Sequence, residues 1–221
     1  MKLYSLAYLL LLVTSIHATD SVYTIKIFTE KETHQFASFI IEQRCINFSQ
    51  FPYLYKPNME YERELFYECF GKTKDDAIAV AFHNDQPVGF LTGSSLGLFN
   101  DMNPWVYEVF KKEGLMPESF YYFGEVIVLP EHRNHGLAHQ LFVQLEQYAH
   151  SIGYNNYSLL VVLREYDHPL KPIDYKSPNS IWTRLDYKQS LIAPFEWETY
   201  QTDGSAKFVT NMIQFWIKEV H

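Results

Sequence analysis

Short apolar runs alternate along the chain with longer stretches whose apolar residues fall three and four apart, and their order predicts a mixed α/β protein. Residues 22–28 are β-branched and aromatic and predict a first strand. Thr29-Glu30-Lys31-Glu32 has the form of a capped helix start, and Phe36, Phe39, Ile40 and Gln43 share one face of the helix it opens. An aromatic loop, Phe51-Pro52-Tyr53-Leu54-Tyr55, precedes a second helix over 59–70 and either covers the core or walls a substrate site. Residues 77–82 and 88–92 form a hairpin around His83-Asn84-Asp85-Gln86-Pro87. A lid or insertion follows over 94–118, with a turn at Asn103-Pro104 and a short amphipathic helix over 105–112.

The second half of the chain holds the most regular pattern. Residues 120–129 predict a strand, Pro130-Glu131-His132 breaks it, and Leu137, Leu141, Leu145, Tyr148 and Ile152 mark a helix over 135–152 that Gly153 ends. Residues 158–163 read as a buried strand, parallel to the preceding one because a helix joins them, in a right-handed crossover. A short helix over 179–185 and two antiparallel strands over 195–200 and 212–220 close a mixed sheet. No repeat interrupts this order, and a single domain over 19–221 is expected.

Composition changes this picture at the N-terminus. Lys2, the apolar stretch 3–16 and Ile16-His17-Ala18 form a signal-peptide pattern cut after Ala18, with an uncleaved anchor or a buried helix as alternatives. The run is short against the roughly 20 residues of a membrane span, so no stable span is expected once a signal is cleaved. Export follows from the signal reading, and a cytoplasmic location from its absence. The formal net charge is -8, and removing Lys2 leaves 17 basic and 26 acidic side chains, or -9. Such a chain has no broad positive field for nucleic acid. Cys45 and Cys69 either pair in an oxidising compartment or stay as thiols, and their spacing does not decide between the two.

Candidate chemistry sits where the 120–129 strand meets the next helix. In Arg133-Asn134-His135-Gly136-Leu137-Ala138, glycine lets the backbone approach a ligand, and the free N–H groups and dipole of the first helical turn favour an anion such as a pyrophosphate. His132, His135 and His139 invite a metal, but no carboxylate or cysteine joins them at ligand spacing, so no metal is expected.

At Arg133, Gly136 and Ala138 the sequence resembles the GNAT N-acetyltransferases, whose motif is Arg or Gln, two residues, Gly, one residue, then Gly or Ala. The resemblance extends over nearly the whole chain after residue 22. It is nearest a bacterial branch with counterparts of residues 51–55, Tyr122-Phe123-Gly124-Glu125, Asp167-His168-Pro169 and Phe215-Trp216. It implies a mixed sheet with a splayed central strand pair and acetyl-CoA as co-substrate, with no metal. It also implies that the backbone of Val126, Ile127 and Val128 pairs with the pantetheine arm, and that amides from Asn134 to His139, Leu137 among them, hold the pyrophosphate. A β-bulge in the fourth strand would produce such a splay, and an N–H near Ile127 or Val128 could polarise the thioester carbonyl.

Acetyl transfer to an amine needs a base, and Glu125 is the first candidate, because burial among Tyr121, Tyr122 and Phe123 would raise its pKa. His168 is the second. Family members place a proton-donating tyrosine where this chain has Trp182, and Asp186 replaces a glycine in the same motif. Indole donates no proton at a useful pKa, so Tyr187, Tyr175 or unaided departure of the thiolate remains. The resemblance implies cofactor contacts at Asn179 and at Trp182 in the same segment. The expected activity is acetylation of a primary amine of a small molecule or protein. The alternatives are an impaired acyl-CoA-binding protein and a secreted interaction protein on the same fold.

Overall fold

The computed structural model describes residues 23–100 and 104–220. The signal peptide or anchor expected over 1–18, and Asn103 of the expected turn, lie outside the described residues. The strands are β1 (Tyr23–Thr29), β2 (Ala77–His83), β3 (Gln86–Ser95), β4 (Phe120–Val128), β5 (Asn156–Leu163), β6 (Lys188–Tyr200) and β7 (Ala206–Glu219). They form one sheet in the order β1-β2-β3-β4-β5-β7-β6, in which only the β4–β5 pair is parallel. The helices are α1 (Ala37–Phe48), α2 (Met59–Cys69), α3 (Pro104–Lys112), α4 (Leu137–Ser151) and α5 (Asn179–Arg184).

Both faces of the sheet are covered, so its central strands read as near-continuous apolar runs. In β2, Ala77, Ala79 and Ala81 point to one face and Ile78 and Val80 to the other. The alanines lie under α4, whose Leu137, Leu141, Leu145 and Ala149 enter the same core. Small side chains on the strand let a helix of leucines settle close to it. The opposite face is covered by α1 and α2 over one half of the sheet, where Ile40 and Phe66 meet Val80 and Phe90. Over the other half Phe110 of α3 meets Phe120 and Phe215. Among the described residues no helix is long and apolar enough to cross a membrane.

Three local details differ from the sequence reading. The capped start at Thr29 is absent: its side chain makes no capping hydrogen bond, and the chain leaves β1 through a 3-10 turn over Glu30–Phe36. Glu30 takes a left-handed φ of 48° there while its N–H donates to the Asp76 carbonyl at 3.0 Å, so a tertiary contact sets the turn. The long helix begins at Leu137 rather than His135, because Gly136 is left-handed at φ 74°. Strands β6 and β7 run well beyond the segments expected and form a long hairpin. Cys45 is a half-buried free thiol, and the Cys69 side chain lies outside the described part of the structure.

Candidate active site

The parallel pair at the centre of the sheet opens into a cleft. β4 and β5 pair from Phe120 and Asn156 only as far as Phe123 and Leu159. Beyond that point β4 stays with β3 and β5 with β7, so their facing edges part. The cause is visible in the register: Leu91 faces Val126 and Gly93 faces Phe123, leaving Gly124 and Glu125 opposite Thr92 alone. Two residues against one is a β-bulge, which bends the strand that carries it. The N–H that the bulge frees on Glu125 is taken up by Thr92 Oγ1 at 3.0 Å.

Strand alternation then assigns the open edge. Leu129 N–H donates to the Val88 carbonyl at 2.9 Å, and the Ile127 carbonyl lies against Gly89, so both residues spend their backbone groups on β3. Neighbours along a strand point their polar groups the opposite way, which turns those of Val126 and Val128 toward the cleft. Ile127, expected to pair with a ligand beside them, is thus corrected: its polar backbone faces β3 and its side chain enters the core under α1. At the end of the edge, Arg133 Nε donates to the Val128 carbonyl at 3.0 Å.

The cleft leads to the N-terminus of α4. Asn134 and Gly136 are both left-handed, at φ 65° and 74°, and fold the loop back on itself. The first intrahelical bond is donated by Gln140 to the Gly136 carbonyl, so the N–H groups of Leu137, Ala138 and His139 have no acceptor within the helix. Gly136 has no side chain to cap them. A β-carbon placed on Gly136 would meet only Gln140 Nε2, at 3.8 Å. The space before these amides is open to an anion, and Leu137 itself, only 2% exposed, pins the turn to the core. Beside the turn, the exposed His135 ring lies 5.2 Å from that of Tyr23, and Tyr23 is hydrogen-bonded to His132 Nδ1 at 3.0 Å. No group of three or more metal-ligating side chains with suitable geometry occurs among the described residues.

Glu125 lies at the bulge but not in the apolar surroundings expected. Tyr121 and Phe123 point to the α4 face, whereas the Glu125 carboxylate meets polar partners from β3 and α1. Its Oε2 accepts from Thr92 Oγ1 at 2.6 Å, and its Oε1 is ion-paired with Arg44 of α1. Arg44 in turn donates through Nε to Glu62 of α2 at 2.8 Å. The Tyr55 hydroxyl is hydrogen-bonded to Glu62, and burial with this carboxylate nearby raises its pKa. Burial likewise pushes the Tyr53 hydroxyl up to about 12 and raises that of Tyr122.

The aromatic loop over 51–55 is tied down from β5, β6 and β7, with Leu54 buried. Arg164, directly after β5, donates to the carbonyls of Pro52 (2.6 Å) and Tyr53 (2.9 Å) and to Asn211 Oδ1 on β7 (2.6 Å). Trp197 Nε1 also donates to the Tyr53 carbonyl, at 3.1 Å.

The remaining candidates lie elsewhere. His168 Nδ1 accepts the N–H of Leu170 at 3.2 Å, which in the neutral ring puts the proton on Nε2. Its free nitrogen is therefore a donor, and burial, with Arg164 nearby, lowers its pKa. The ring packs 5.6 Å from Phe51, as does Tyr175 at 4.7 Å. Tyr187 is only 2% exposed and donates to Glu146 Oε1 at 2.7 Å, and burial first, then Glu146, raises its pKa well above the usual tyrosine range. It is a core residue tied to the Glu146–Lys218 ion pair, not a group facing the cleft. Trp182, 4% exposed and edge-on to Phe142 at 5.1 Å, is also core. Asn179 opens α5 half-buried. Arg44, Glu62, Thr92 and Arg164 were not singled out by the sequence. Arg44 alone carried a faint signal, as the single basic residue in α1.

The comparisons with known proteins agree with this geometry. The chain belongs to the acetyltransferase (GNAT) family, whose sequence model matches residues 42–169. That membership makes it an acyltransferase of the N-acetyltransferase class, a family that uses acetyl-CoA as co-substrate. No curated protein sequence matches the chain. Among solved structures, an N-acetyltransferase from Staphylococcus aureus Mu50 is similar over 90% of this chain and 99% of that one, with 17% identity and a TM-score of 0.53. The Drosophila melanogaster polyamine N-acetyltransferase, which forms N-acetylagmatine, covers 90% and 100%, with 13% identity and a TM-score of 0.55. Arabidopsis thaliana NAA60, solved with a bisubstrate analogue, covers 90% and 100%, with 12% identity and a TM-score of 0.54. At these identities the likeness is one of fold.

Proposed function

We propose that this protein moves an acetyl group from acetyl-CoA to a primary amine, of a small molecule or of a protein, by direct attack of the amine on the thioester. The observation that carries the reading is the parting of β4 from β5 beyond Phe123 and Leu159, beside the uncapped amides of α4. The pantetheine arm has amides that need both donors and acceptors; Val126 offers both along the open edge and Val128 its N–H, its carbonyl already accepting from Arg133. The pyrophosphate is negative, and the amides of Leu137, Ala138 and His139 meet it at the positive end of a helix dipole, with Arg133, Asn134 and His135 around it. Asn179 is proposed as a further contact to the cofactor.

In the reaction the amine nitrogen bonds to the thioester carbon and the carbon–sulfur bond breaks. Val128 N–H polarises the carbonyl and stabilises the oxyanion. Glu125 accepts the proton from nitrogen, directly or through water, using lone pairs that Arg44 and Thr92 leave free. The thiolate leaves without a side-chain acid, since Trp182 has no usable proton and Tyr187 donates elsewhere, and it is protonated from solvent.

The test incubates the full chain with acetyl-CoA and a panel of amines and peptides, following free thiol and identifying the acetylated product by mass spectrometry. Acetyl-CoA should bind in calorimetry, and thiol should appear in step with product. Glu125→Gln should lower kcat by about a hundredfold with acetyl-CoA affinity unchanged. Absence of binding would sink the proposal, and undiminished turnover in the variant would reject Glu125 as the base.

A further inference from the structure

The mechanism uses Glu125 but leaves unexplained a charged assembly behind it. Arg44 lies between two carboxylates from different elements: its Nε meets Glu62 Oε2 of α2 at 2.8 Å, and its Nη1 meets Glu125 Oε1 on the bulge of β4. Its guanidinium also stands over the Phe48 ring, 5.1 Å from the centroid. The Glu62 side chain is 2% exposed, and those of Arg44 and Glu125 are 18% exposed each. Surface ion pairs contribute little, but this one is largely withdrawn from water, and removing the middle charge leaves a buried carboxylate uncompensated. The groups packed around it are Tyr53 and Tyr55 from the loop, Tyr122 from β4 and Thr92 from β3.

Each Glu125 oxygen is thereby engaged, Oε1 by Arg44 and Oε2 by Thr92, so the plane of the carboxylate is set from two sides. A bulge residue without such partners would be free to rotate, because its own strand no longer pairs on the cleft side. Arginine suits this place, since its planar fork reaches two carboxylates at once where a lysine ammonium is a single point.

We infer that Arg44 is a positioning residue for the transfer: braced by Glu62, it aims the Glu125 carboxylate at the acceptor amine across the β4 bulge. This rests on the acetyl-transfer reading of the site and on Glu125 as its base. Arg44 lies on the α1–α2 side of the sheet and Val126 and Val128 carry the cofactor edge, so its effect falls on the chemical step and leaves cofactor binding alone.

The experiment compares wild type, Arg44→Lys, Arg44→Met and the double variant Arg44→Met/Glu62→Gln in the full chain, measuring kcat, KM for the amine and acetyl-CoA affinity by calorimetry. Arg44→Met is expected to lower kcat by about a hundredfold, the effect of misplacing a reacting group by about 1 Å, with acetyl-CoA affinity within about twofold of wild type. Arg44→Lys should recover part of the loss. The double variant removes the deeply buried Glu62 charge together with its partner and leaves only the more exposed Glu125 carboxylate, still held by Thr92, so it controls for folding, and its kcat should remain low. A kcat restored to the wild-type level in the double variant would mean that Arg44 merely neutralises Glu62, and would overturn the inference. So would an equal loss of acetyl-CoA affinity and kcat. If wild type itself transfers no acetyl group, the functional reading fails first. If it does and Arg44→Met matches it, only the positioning role fails.

Discussion

Gly136 shows how one residue can serve backbone conformation and ligand space together. Its φ of 74° is a region an L side chain enters at a cost, and the volume its side chain would fill is empty apart from Gln140 Nε2. Gly136→Ala should therefore destabilise the fold by about 1 kcal/mol through strain alone. It should also weaken acetyl-CoA binding by more than that strain explains, because the added methyl stands before the free amides of α4. Thermal unfolding and calorimetry on the same variant separate the two effects. Binding unchanged beside the expected loss of stability would move the pyrophosphate away from this turn. Arg133, Gly136 and Ala138 were legible in the sequence because everything they need lies within one strand end and one helical turn. Arg44 and Glu62 were not. Their meaning depends on α1 and α2 both reaching the bulge of β4, with Arg44 and Glu125 81 positions apart. Glu125 was legible as a polar residue in an apolar strand, yet of its expected neighbours Tyr121 and Phe123 lie on the other face, since the bulge shifts which side chains share its own.

At the scale of elements, periodicity read the strands and helices well wherever one face is apolar and the other not, as in α4 and β1. It failed where a tertiary bond overrides local preference, as at Thr29, where the Asp76 carbonyl captures the Glu30 N–H. The end of α5 shows the reverse, a local rule that the sequence breaks and the structure keeps. Tyr187 N–H closes back on the Trp182 carbonyl at 3.0 Å, and Asp186 between them is left-handed at φ 66°. This is the position where the family motif carries glycine, and aspartate holds it at a conformational cost. Its side chain is exposed. Asp186→Gly should thus relieve the strain, partly offset by the greater freedom of glycine in the unfolded chain. The net gain should be below about 1 kcal/mol, and the melting temperature should rise by roughly 1–3 °C. A lower melting temperature would show that the aspartate side chain stabilises the turn in a way its exposure does not suggest.

For the whole molecule, several of the 17 tyrosines form a set of buried hydroxyls distributed over both faces of the sheet. Tyr121 lies under α4 with its hydroxyl on the Asp75 carbonyl at 2.8 Å, Tyr187 is held by Glu146, and Tyr53 and Tyr122 lie on the opposite face. Burial raises the pKa of each, Tyr53 to about 12. In the unfolded chain the same groups lose their protons near pH 10. Below that pH both states are protonated and the full stability is present. As pH rises from about 10 through the folded values, the unfolded state holds fewer protons than the native one, and stability falls. Because the groups occupy several cores, the loss should be cooperative rather than local. A titration followed by phenolate absorbance and circular dichroism should show the exposed tyrosines ionising near pH 10 with the fold intact. The buried set should ionise only at higher pH, together with loss of the dichroic signal. Ionisation of all 17 tyrosines in one step near pH 10 with an unchanged dichroic spectrum would contradict their burial.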